Sequence, residues 1–317
     1  MRLSRNSLLA LVVLTALVQG QQASRPLMRV GPSEPQSPAT VQNGEDVGEG
    51  EVVRVTASLV SVPVSVIDRR GKYVIDLQQK DFRIYEDGVE QSVTHFSNID
   101  QPFSVVLLMD TSGSTASFLA QMKDAAKSFV EKLRPLDTVQ PVYFHGEIKP
   151  LTKKSISDPN LLDAAIDQMS PGPIDMGTRL YDAVDFGLSV LKPVAGRKAV
   201  ILFTDGENTW GKATMKSTLH QAEESDVIIY SLQFGNLTEQ KYLRLLADKT
   251  GGRYFMAADV NTISRSFAEV AEELRRQYVL GYHPNELAQK GLERKIRVKV
   301  DRKRVAVRAR RSYTYKP

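Results

Sequence analysis

The sequence contains no cysteine among its 317 residues. This absence excludes disulfide bonds, thiolate metal sites, cysteine nucleophiles and membrane attachment through a lipidated cysteine. It also fits a bacterial export route better than an animal extracellular one. The fold must therefore be stabilised by its hydrophobic core, and a chain of this length can build one of sufficient size.

Several enzyme motifs are absent as well. The sequence has no Gly-x-Ser-x-Gly, no phosphate-binding Gly-x-x-x-x-Gly-Lys and no His-Glu-x-x-His pattern. Its four histidines are far apart and lack the spacing of metal ligands. We expect no enzymatic activity, because a catalytic reaction would need a metal-activated water with Glu207 or His145 as its general base.

Long apolar runs are also missing, apart from one at the N-terminus. Arg2 and Arg5 precede an apolar stretch over residues 8–18, and small and polar residues follow it. This layout predicts a signal peptide over residues 1–20, with cleavage after Gly20 or Ala23, and an uncleaved anchor is the alternative. We therefore expect a secreted or periplasmic protein with no transmembrane segment in the mature chain.

The rest of the chain divides by composition and by the period of its apolar residues. Residues 21–50 are rich in Pro, Ser, Gln and Gly, which predicts a flexible leader. Residues 51–99 alternate apolar with polar side chains, which predicts strands. Residues 100–276 alternate strand and helix patterns, as in a parallel sheet with crossover helices. Residues 277–317 again have the pattern of strands.

The predicted fold class is α/β, with a doubly wound, mostly parallel, Rossmann-like sheet flanked by helices. We expect this domain to be inserted between two halves of a small all-β domain, because the last strands have no helices to cover them. Residues 295–300 and 305–310 alternate around residues 301–304, which predicts a hairpin.

The C-terminal strands are strongly basic. Residues 290–317 carry twelve basic and two acidic side chains. No aromatic side chains are interleaved among residues 290–311 to stack on bases, so we expect no specific nucleic-acid binding. The pattern favours a solvated strand face, with weak contact to an anionic surface as the alternative.

The stretch that carries most chemical information begins with the five apolar residues 105–109. They predict a strand buried on both faces, and Asp110, Ser112 and Ser114 follow directly. In open α/β sheets the ligand crevice lies at the carboxyl ends of such strands. Taken alone, this stretch equally fits a strand-to-helix turn in which Ser114 or Ser117 caps the next helix.

Two further loops supply side chains of the same type. Thr178 follows Asp175 and Gly177, and Asp205 follows the strand predicted over residues 198–204. Two carboxylates and three hydroxyls are oxygen donors that suit Mg²⁺ or Mn²⁺. Since Mg²⁺ prefers six oxygens, one position stays open, and we expect it to accept the Asp or Glu carboxylate of a partner protein.

These residues resemble the metal-ion-dependent adhesion site of von Willebrand factor type A domains. The matching features are Asp110-x-Ser112-x-Ser114, Thr178 in a Gly-Thr-x-Leu-x-Asp setting, and Thr204-Asp205-Gly206. The similarity covers about residues 100–275, and the flanks resemble a group of secreted bacterial proteins described only as related to that domain. The resemblance implies that Ser112, Ser114 and Thr178 contact a metal directly. It also implies that Asp110 and Asp205 bind the metal directly or through water, and that a partner carboxylate completes the coordination.

Residues beside these loops are candidates for contact with the partner. They are Asp175, Glu207, Asn208 and His145. We expect Asp175 to cap the helix after Thr178 and not to bind water around the metal. The only tryptophan, Trp210, would be a contact residue if exposed and a core residue if buried.

The function predicted from the sequence is an exported, metal-dependent protein-binding module for adhesion or complex assembly. The alternative is a structural envelope protein whose metal only stabilises the fold. In that case binding would use the β domain or the basic C-terminal strands.

Overall fold

The computed structural model of the protein describes residues 59–98, 101–235, 238–284 and 291–314. All of them belong to one compact unit that spans residues 54–317. The predicted signal peptide and leader, residues 1–50, lie outside the described residues. Within the ranges above, no helix is long and apolar enough to cross a membrane.

The described residues form fourteen strands and six α-helices. The strands are β1 (Val60–Asp68), β2 (Phe82–Glu86), β3 (Val89–Gln91), β4 (His95–Ser97), β5 (Phe103–Asp110), β6 (Thr138–Phe144), β7 (Ile148–Pro150), β8 (Arg197–Thr204), β9 (Ile228–Phe234), β10 (Tyr254–Ala257), β11 (Tyr278–Tyr282), β12 (Glu293–Val300), β13 (Val305–Ala309) and β14 (Ser312–Thr314). The α-helices are α1 (Leu119–Val130), α2 (Pro159–Asp167), α3 (Leu180–Leu191), α4 (Met215–Glu224), α5 (Lys241–Thr250) and α6 (Val260–Arg275). Short 3-10 helices cover Gln79–Asp81, Gly113–Phe118 and Ile174–Met176.

The largest sheet has six strands in the order β10-β9-β8-β5-β6-β7. Its strands pair in parallel, except that the edge strand β7 is antiparallel to β6. Alternate residues of β5 enter different cores, because side chains on a strand point to opposite faces. Val105 and Leu107 pack with α1, α2 and α6, while Val106 and Leu108 pack with α3, α4 and α5. The predicted mostly parallel sheet with helices on both faces is confirmed.

The strand order reverses next to β5. The chain runs from β5 to β6 on one side, and β8 later pairs with β5 on the other side. Ligand crevices of open α/β sheets lie at such a switch point, outside the carboxyl ends of the strands. Asp110 ends β5 and Asp205 directly follows β8, so both side chains lie at this position.

The strands that precede and follow the α/β part in the sequence form two four-stranded antiparallel sheets. Their strand orders are β13-β1-β11-β4 and β14-β12-β2-β3. Strands from both flanks pair with each other, since β1 pairs with β11 and β13, and β2 pairs with β12. The two sheets share one core, in which Val62 and Val64 of the first sheet pack with Ile84 and Ile296 of the second.

The hairpin predicted for residues 295–300 and 305–310 is wrong in its pairing. β12 pairs with β2 and β14, whereas β13 pairs with β1 in the other sheet. The connecting turn uses Arg304 at a positive φ of 64°. Apolar alternation predicts that a strand exists and which face it buries, but it does not identify the strand beside it. Here the two strands contribute to opposite sides of one core.

Two buried side-chain clusters connect the α/β part to the β strands. Glu273 of α6 is fully buried, and its carboxylate accepts hydrogen bonds from Ser65 Oγ (3.1 Å) and Arg308 Nη1 (2.8 Å). The buried Arg310 guanidinium donates to the carbonyl oxygens of Ser225 (3.0 Å) and Glu223 at the end of α4. A cation at this end of a helix satisfies carbonyl groups that have no partner within the helix.

Candidate metal centre

The candidate centre begins with Asp110, which is fully buried at the carboxyl end of β5. Its Oδ1 accepts a hydrogen bond from Ser112 N–H (3.0 Å), and its Oδ2 accepts one from Thr204 Oγ1 (2.6 Å). Thr115 Oγ1 donates to the carbonyl oxygens of Asp110 (2.8 Å) and Ser112 (2.9 Å), which fixes the turn after the strand. Burial raises the pKa of Asp110 to about 7; the charge of Asp205 adds to this rise, and the bonds from Thr204 and Ser112 oppose it.

Asp205 brings a second carboxylate to the same place from β8. Its Oδ2 accepts a hydrogen bond from Ser114 Oγ (2.6 Å), and its Oδ1 accepts one from Glu207 N–H (3.1 Å). The hydroxyl oxygens of Ser112 and Ser114 are 3.2 Å apart. Four of the five predicted ligands, Asp110, Ser112, Ser114 and Asp205, therefore form one hydrogen-bonded group across two neighbouring strand ends.

Thr178 lies on a third loop, directly before α3, and is buried. Its N–H donates to Thr209 Oγ1 (2.8 Å), and its carbonyl oxygen accepts from the N–H groups of Thr209 and Trp210 (both 3.0 Å). Gly177 has a φ of +65°, and a Cβ there would lie 2.8 Å from Thr209 Oγ1, so this approach needs glycine. Thr178 is thus held against the loop that follows Asp205. In the described chain, no hydrogen bond joins its hydroxyl to the other four candidate ligands.

The two carboxylates lack a cationic partner in the described part of the protein. Hydroxyl and backbone N–H groups are their hydrogen-bond donors, and no Lys or Arg of the described ranges forms an ion pair with either of them. Buried charges are normally paired with an opposite charge or coordinate a metal. Hard oxygen donors of this composition fit Mg²⁺ or Mn²⁺. The residues that would hold such an ion are Asp110, Ser112, Ser114, Thr178 and Asp205.

The donor set differs from the sites that zinc favours. Among residues 59–98, 101–235, 238–284 and 291–314, no group of three or more His, Cys, Asp or Glu side chains is placed to hold a metal ion. Any metal at the candidate centre would therefore depend on hydroxyl groups for several of its protein ligands.

The expected rim residues occupy different environments. Glu207 is exposed beside Asp205, while Asn208 is half-buried and its Oδ1 accepts a hydrogen bond from Tyr181 N–H (3.0 Å) in the first turn of α3. The prediction that Asp175 caps this helix is wrong. Asp175 is exposed on the preceding 3-10 helix, and α3 begins after Arg179. Asn208, from a distant part of the sequence, satisfies the helix terminus instead.

His145 lies beneath these loops and is buried. Its Nδ1 accepts a hydrogen bond from Glu147 N–H (3.3 Å), and its carbonyl oxygen accepts one from Arg179 N–H (3.0 Å). A Cβ on Gly172 would lie 2.5 Å from the imidazole Cγ, so the ring packs closely under that glycine. Burial, with a contribution from the charge of Lys149, lowers the pKa of His145 and favours the neutral ring. These contacts indicate that His145 has a structural role and connects neighbouring loops.

Sequence reasoning assigned no positioning role to two hydroxyl residues that orient the candidate ligands. Thr204 is fully buried and orients the Asp110 carboxylate, and Thr209 fixes the backbone of Thr178. A threonine at the end of a buried strand, next to a predicted ligand, was the available signal for Thr204. Thr209 had no signal of this kind, because its contact depends on how two loops meet. Trp210 is exposed, so it is not a core residue, and its role as a contact residue stays a prediction.

Comparisons with known proteins agree with this architecture. The family model of the von Willebrand factor type A domain matches residues 104–269. A solved von Willebrand factor type A structure from Catenulispora acidiphila aligns with a TM-score of 0.52 and 13% identity, covering 74% of this chain and 73% of that chain. Proximal thread matrix protein 1 from the mussel byssus, with a zinc-occupied MIDAS motif, aligns with a TM-score of 0.51 and 18% identity. That alignment covers 60% of this chain and 49% of the mussel chain.

At these identities the solved structures show the fold alone. No curated protein matches the sequence significantly. The family model, however, covers more than half of the chain and includes all five candidate ligands. The chain belongs to the von Willebrand factor type A domain family.

Proposed function

We propose that this chain is an exported protein-binding module that takes up a divalent metal and binds the Asp or Glu carboxylate of a partner protein through it. The observation that carries the proposal is the pair of buried carboxylates, Asp110 and Asp205, with hydroxyl and N–H partners and no Lys or Arg paired with them in the described residues. Export rests on the sequence of residues 1–20.

The residues of the centre have separate tasks in this proposal. Asp110 and Asp205 supply the negative charge that attracts the cation, and Ser112, Ser114 and Thr178 supply neutral oxygen ligands. A bound Mg²⁺ or Mn²⁺ would supply a positive charge with an open position for an outside carboxylate. The protein would supply no more than two carboxylates to the ion. The ion would therefore keep more positive charge than in an all-carboxylate site, and this charge favours an anionic ligand.

Hydrogen bonds orient both carboxylates of the candidate centre. Thr204 and the N–H of Ser112 orient the Asp110 carboxylate, while Ser114 and the N–H of Glu207 orient that of Asp205. Such preorganisation lowers the entropic cost of binding. The mussel byssus protein with its zinc-occupied MIDAS motif supports a metal as the kind of ligand for this fold.

We propose binding and not catalysis at this centre. A general base must lie near the reacting group with a free acceptor atom. The Nδ1 of His145 is buried and already accepts from Glu147 N–H. Glu207 is exposed to solvent, and its hydrogen bond to Asp205 comes from its backbone N–H. Both features support a binding role.

The test is titration calorimetry with MgCl₂ and MnCl₂ on residues 21–317, followed by capture of partners from envelope extracts in Mg²⁺ or in EDTA. We expect wild type to bind the metal and to retain a partner only when Mg²⁺ is present. Asp205→Ala should lose both properties. Asp175→Ala, which removes an exposed carboxylate from the neighbouring loop, is the matched control and should still bind the metal. Metal binding unaffected by Asp205→Ala, or partner capture that persists in EDTA, would contradict the proposal.

A second candidate function is attachment to an anionic surface through the β strands, and one observation favours it. Lys295, Arg297 and Lys299 are exposed on one face of β12, and the cationic groups of Arg297 and Lys299 lie 5.6 and 5.0 Å from the centre of the Tyr85 ring. Other cations of the C-terminal strands serve the fold, since Arg308 pairs with the buried Glu273. Only part of the basic charge is therefore available to a partner.

Charge reversal separates the two candidate functions. The variant Lys295→Glu/Lys299→Glu should weaken retention on vesicles that contain anionic phospholipid, and added salt should weaken wild-type retention in the same way. Asp205→Ala should leave this retention unchanged. Equal retention of wild type and the charge-reversed variant would exclude the anionic-surface function.

A further inference from the structure

The loop that follows Asp205, residues 206–213, is fixed in place along its length, and we refer to it as the Trp210 loop. Asn208 and Thr209 bond to the backbone of α3 and of Thr178, as described above. Beyond Trp210, the Asp182 carboxylate accepts hydrogen bonds from the N–H groups of Lys212 (3.0 Å) and Ala213 (2.7 Å). The loop is therefore anchored on both sides of its tryptophan.

This rigid loop leaves the indole of Trp210 in solvent. The residue keeps 58% of its surface exposed. The guanidinium of Arg179 lies 5.9 Å from the ring centre, and its Nε donates to Asp182 Oδ2 (2.9 Å). Burial of exposed apolar area is favourable by roughly 25 cal/mol per Å². An ordered, exposed indole is thus a contact surface that loses little conformational entropy when a partner covers it.

Trp210 is distinct among the exposed apolar side chains of the described chain. The other large ones are Leu59, Ile75, Val89, Leu136, Leu161, Met256 and Leu292. None of these seven lies on the loops that carry the candidate metal ligands. Trp210 does, and its backbone N–H donates directly to the carbonyl oxygen of Thr178 (3.0 Å).

We infer that Trp210, held by Arg179, is a specificity-determining contact for the partner. The partner segment would present a large apolar side chain two positions from the carboxylate that reaches the metal. In an extended segment, the nearest side chain on the same face as the carboxylate is two positions away. Trp210 is the exposed apolar residue on the loop that contacts Thr178, so we place that side chain beside it. The inference rests on the proposed function, because the metal-bound carboxylate sets the register of the segment.

The test uses a random linear peptide library displayed on phage and selected on residues 21–317 in Mg²⁺. We expect the selected peptides to share an Asp or Glu with a large aliphatic or aromatic residue two positions away. Selection on Trp210→Ala should retain the acidic residue and lose the apolar one. Wild-type consensus peptides should bind Trp210→Ala about 30-fold more weakly, the loss typical of a buried tryptophan contact. Trp210→Phe should recover part of the affinity.

Leu136→Ala is the matched control, because Leu136 is an exposed apolar residue that precedes β6, at the opposite end of the parallel strands. It should select the same peptides as wild type. Metal titration of Trp210→Ala should match that of wild type, which separates loss of this contact from loss of the metal site. Mg²⁺-dependent selection with the same consensus on wild type and Trp210→Ala overturns this inference alone. Selection that is equal in Mg²⁺ and EDTA overturns it together with the proposed function.

Discussion

At the scale of single residues, the candidate centre depends on hydroxyl groups, and the sequence places more serines near Asp110 than the proposed site uses. Ser112, Ser114 and Ser117 all lie within seven residues of the Asp110 carboxylate. Ser114 donates to Asp205, whereas Ser117 is exposed farther along the same 3-10 helix. Helix capping by Ser114 or Ser117 was the alternative to metal ligation, and within the described residues no side-chain hydrogen bond caps this 3-10 helix or α1.

The pair Ser114 and Ser117 gives a matched test of metal ligation. Ser114→Ala should reduce the rise in melting temperature that Mg²⁺ causes, because a ligand that binds only the folded state stabilises it by RT ln(1 + [L]/Kd), which falls as the affinity falls. In wild type, Mg²⁺ at 100 times its Kd should add about 2.7 kcal/mol. Ser117→Ala should keep the full rise. Calorimetry in Mg²⁺ and in EDTA measures both variants, and an equal loss in the two would argue against ligation by Ser114.

Much of the candidate site could be predicted at this scale, because its ligands are residue types at fixed positions after buried strands. The assignment of Asp110, Ser112, Ser114, Thr178 and Asp205 as metal ligands stays a prediction. The supporting residues could not be predicted. Whether Asn208 or Asp175 satisfies the start of α3, and whether His145 is exposed, depends on how separate loops pack together.

At the scale of elements, apolar periodicity predicted the type of each helix and strand of the α/β part. The helix α2 begins at Pro159, because the Asp158 side chain caps it by accepting from the N–H groups of Asn160 and Leu161. Periodicity failed for strand partners. Strands β3 and β4 follow each other in the sequence but lie in different sheets. Partner choice depends on the completed core, which short windows of sequence do not contain.

Helix α3 carries a partly buried carboxylate, Asp185, that destabilises the folded protein when it is ionised. Burial raises the pKa of Asp185 in α3 to about 6, and the charge of Asp182 adds to this rise. Asp185 Oδ1 is buried and has no hydrogen-bond partner among the described residues, while Oδ2 accepts from Gln221 of α4 at 3.5 Å. A folded-state pKa above the value of the unfolded chain means that the ionised carboxylate destabilises the folded protein at neutral pH.

The substitution Asp185→Asn should therefore stabilise the protein above about pH 6. The gain should shrink as the pH falls from 6 towards 4, because the folded protein then takes up the proton and the penalty disappears. We expect a gain on the order of 1 kcal/mol at pH 7.5, since solvent screens part of the effect. Urea unfolding of wild type and variant at several pH values measures it. Glu131→Gln, at an exposed site after α1, should show no such pH-dependent gain, and a constant gain for Asp185→Asn would contradict the assignment.

At the scale of the whole molecule, the β strands and the α/β part are joined by buried charges as well as by the chain. The described residues lie in one compact unit, and Glu273 and Arg310 provide contacts between its sheets and helices. The ion pair of Glu273 with Arg308 adds little net stability compared with apolar packing, but removal of one partner leaves an uncompensated charge. The main consequence of these contacts is that neither part can unfold without disrupting a contact of the other.

We therefore expect wild type to unfold in one transition, with the fluorescence of Trp210, which reports on the α/β part, changing at the calorimetric midpoint. Glu273→Ala should lower stability by about 3 kcal/mol, because Arg308 loses its carboxylate. Glu273→Ala should also separate two unfolding midpoints, the one measured by Trp210 fluorescence and the one of the β strands, which tyrosine circular dichroism measures. Glu269→Ala is the control, since Glu269 pairs with Arg253 at the surface of the same helix and should change stability by less than about 1 kcal/mol. Glu273→Met/Arg308→Met should recover most of the loss, because it removes both charges and leaves apolar groups in their place. If the two midpoints coincide in Glu273→Ala, the buried ion pair does not couple the two parts. The pairing of β4 with β11 then becomes the stronger explanation, because the chain leaves the β sheets after β4 and rejoins them at β11.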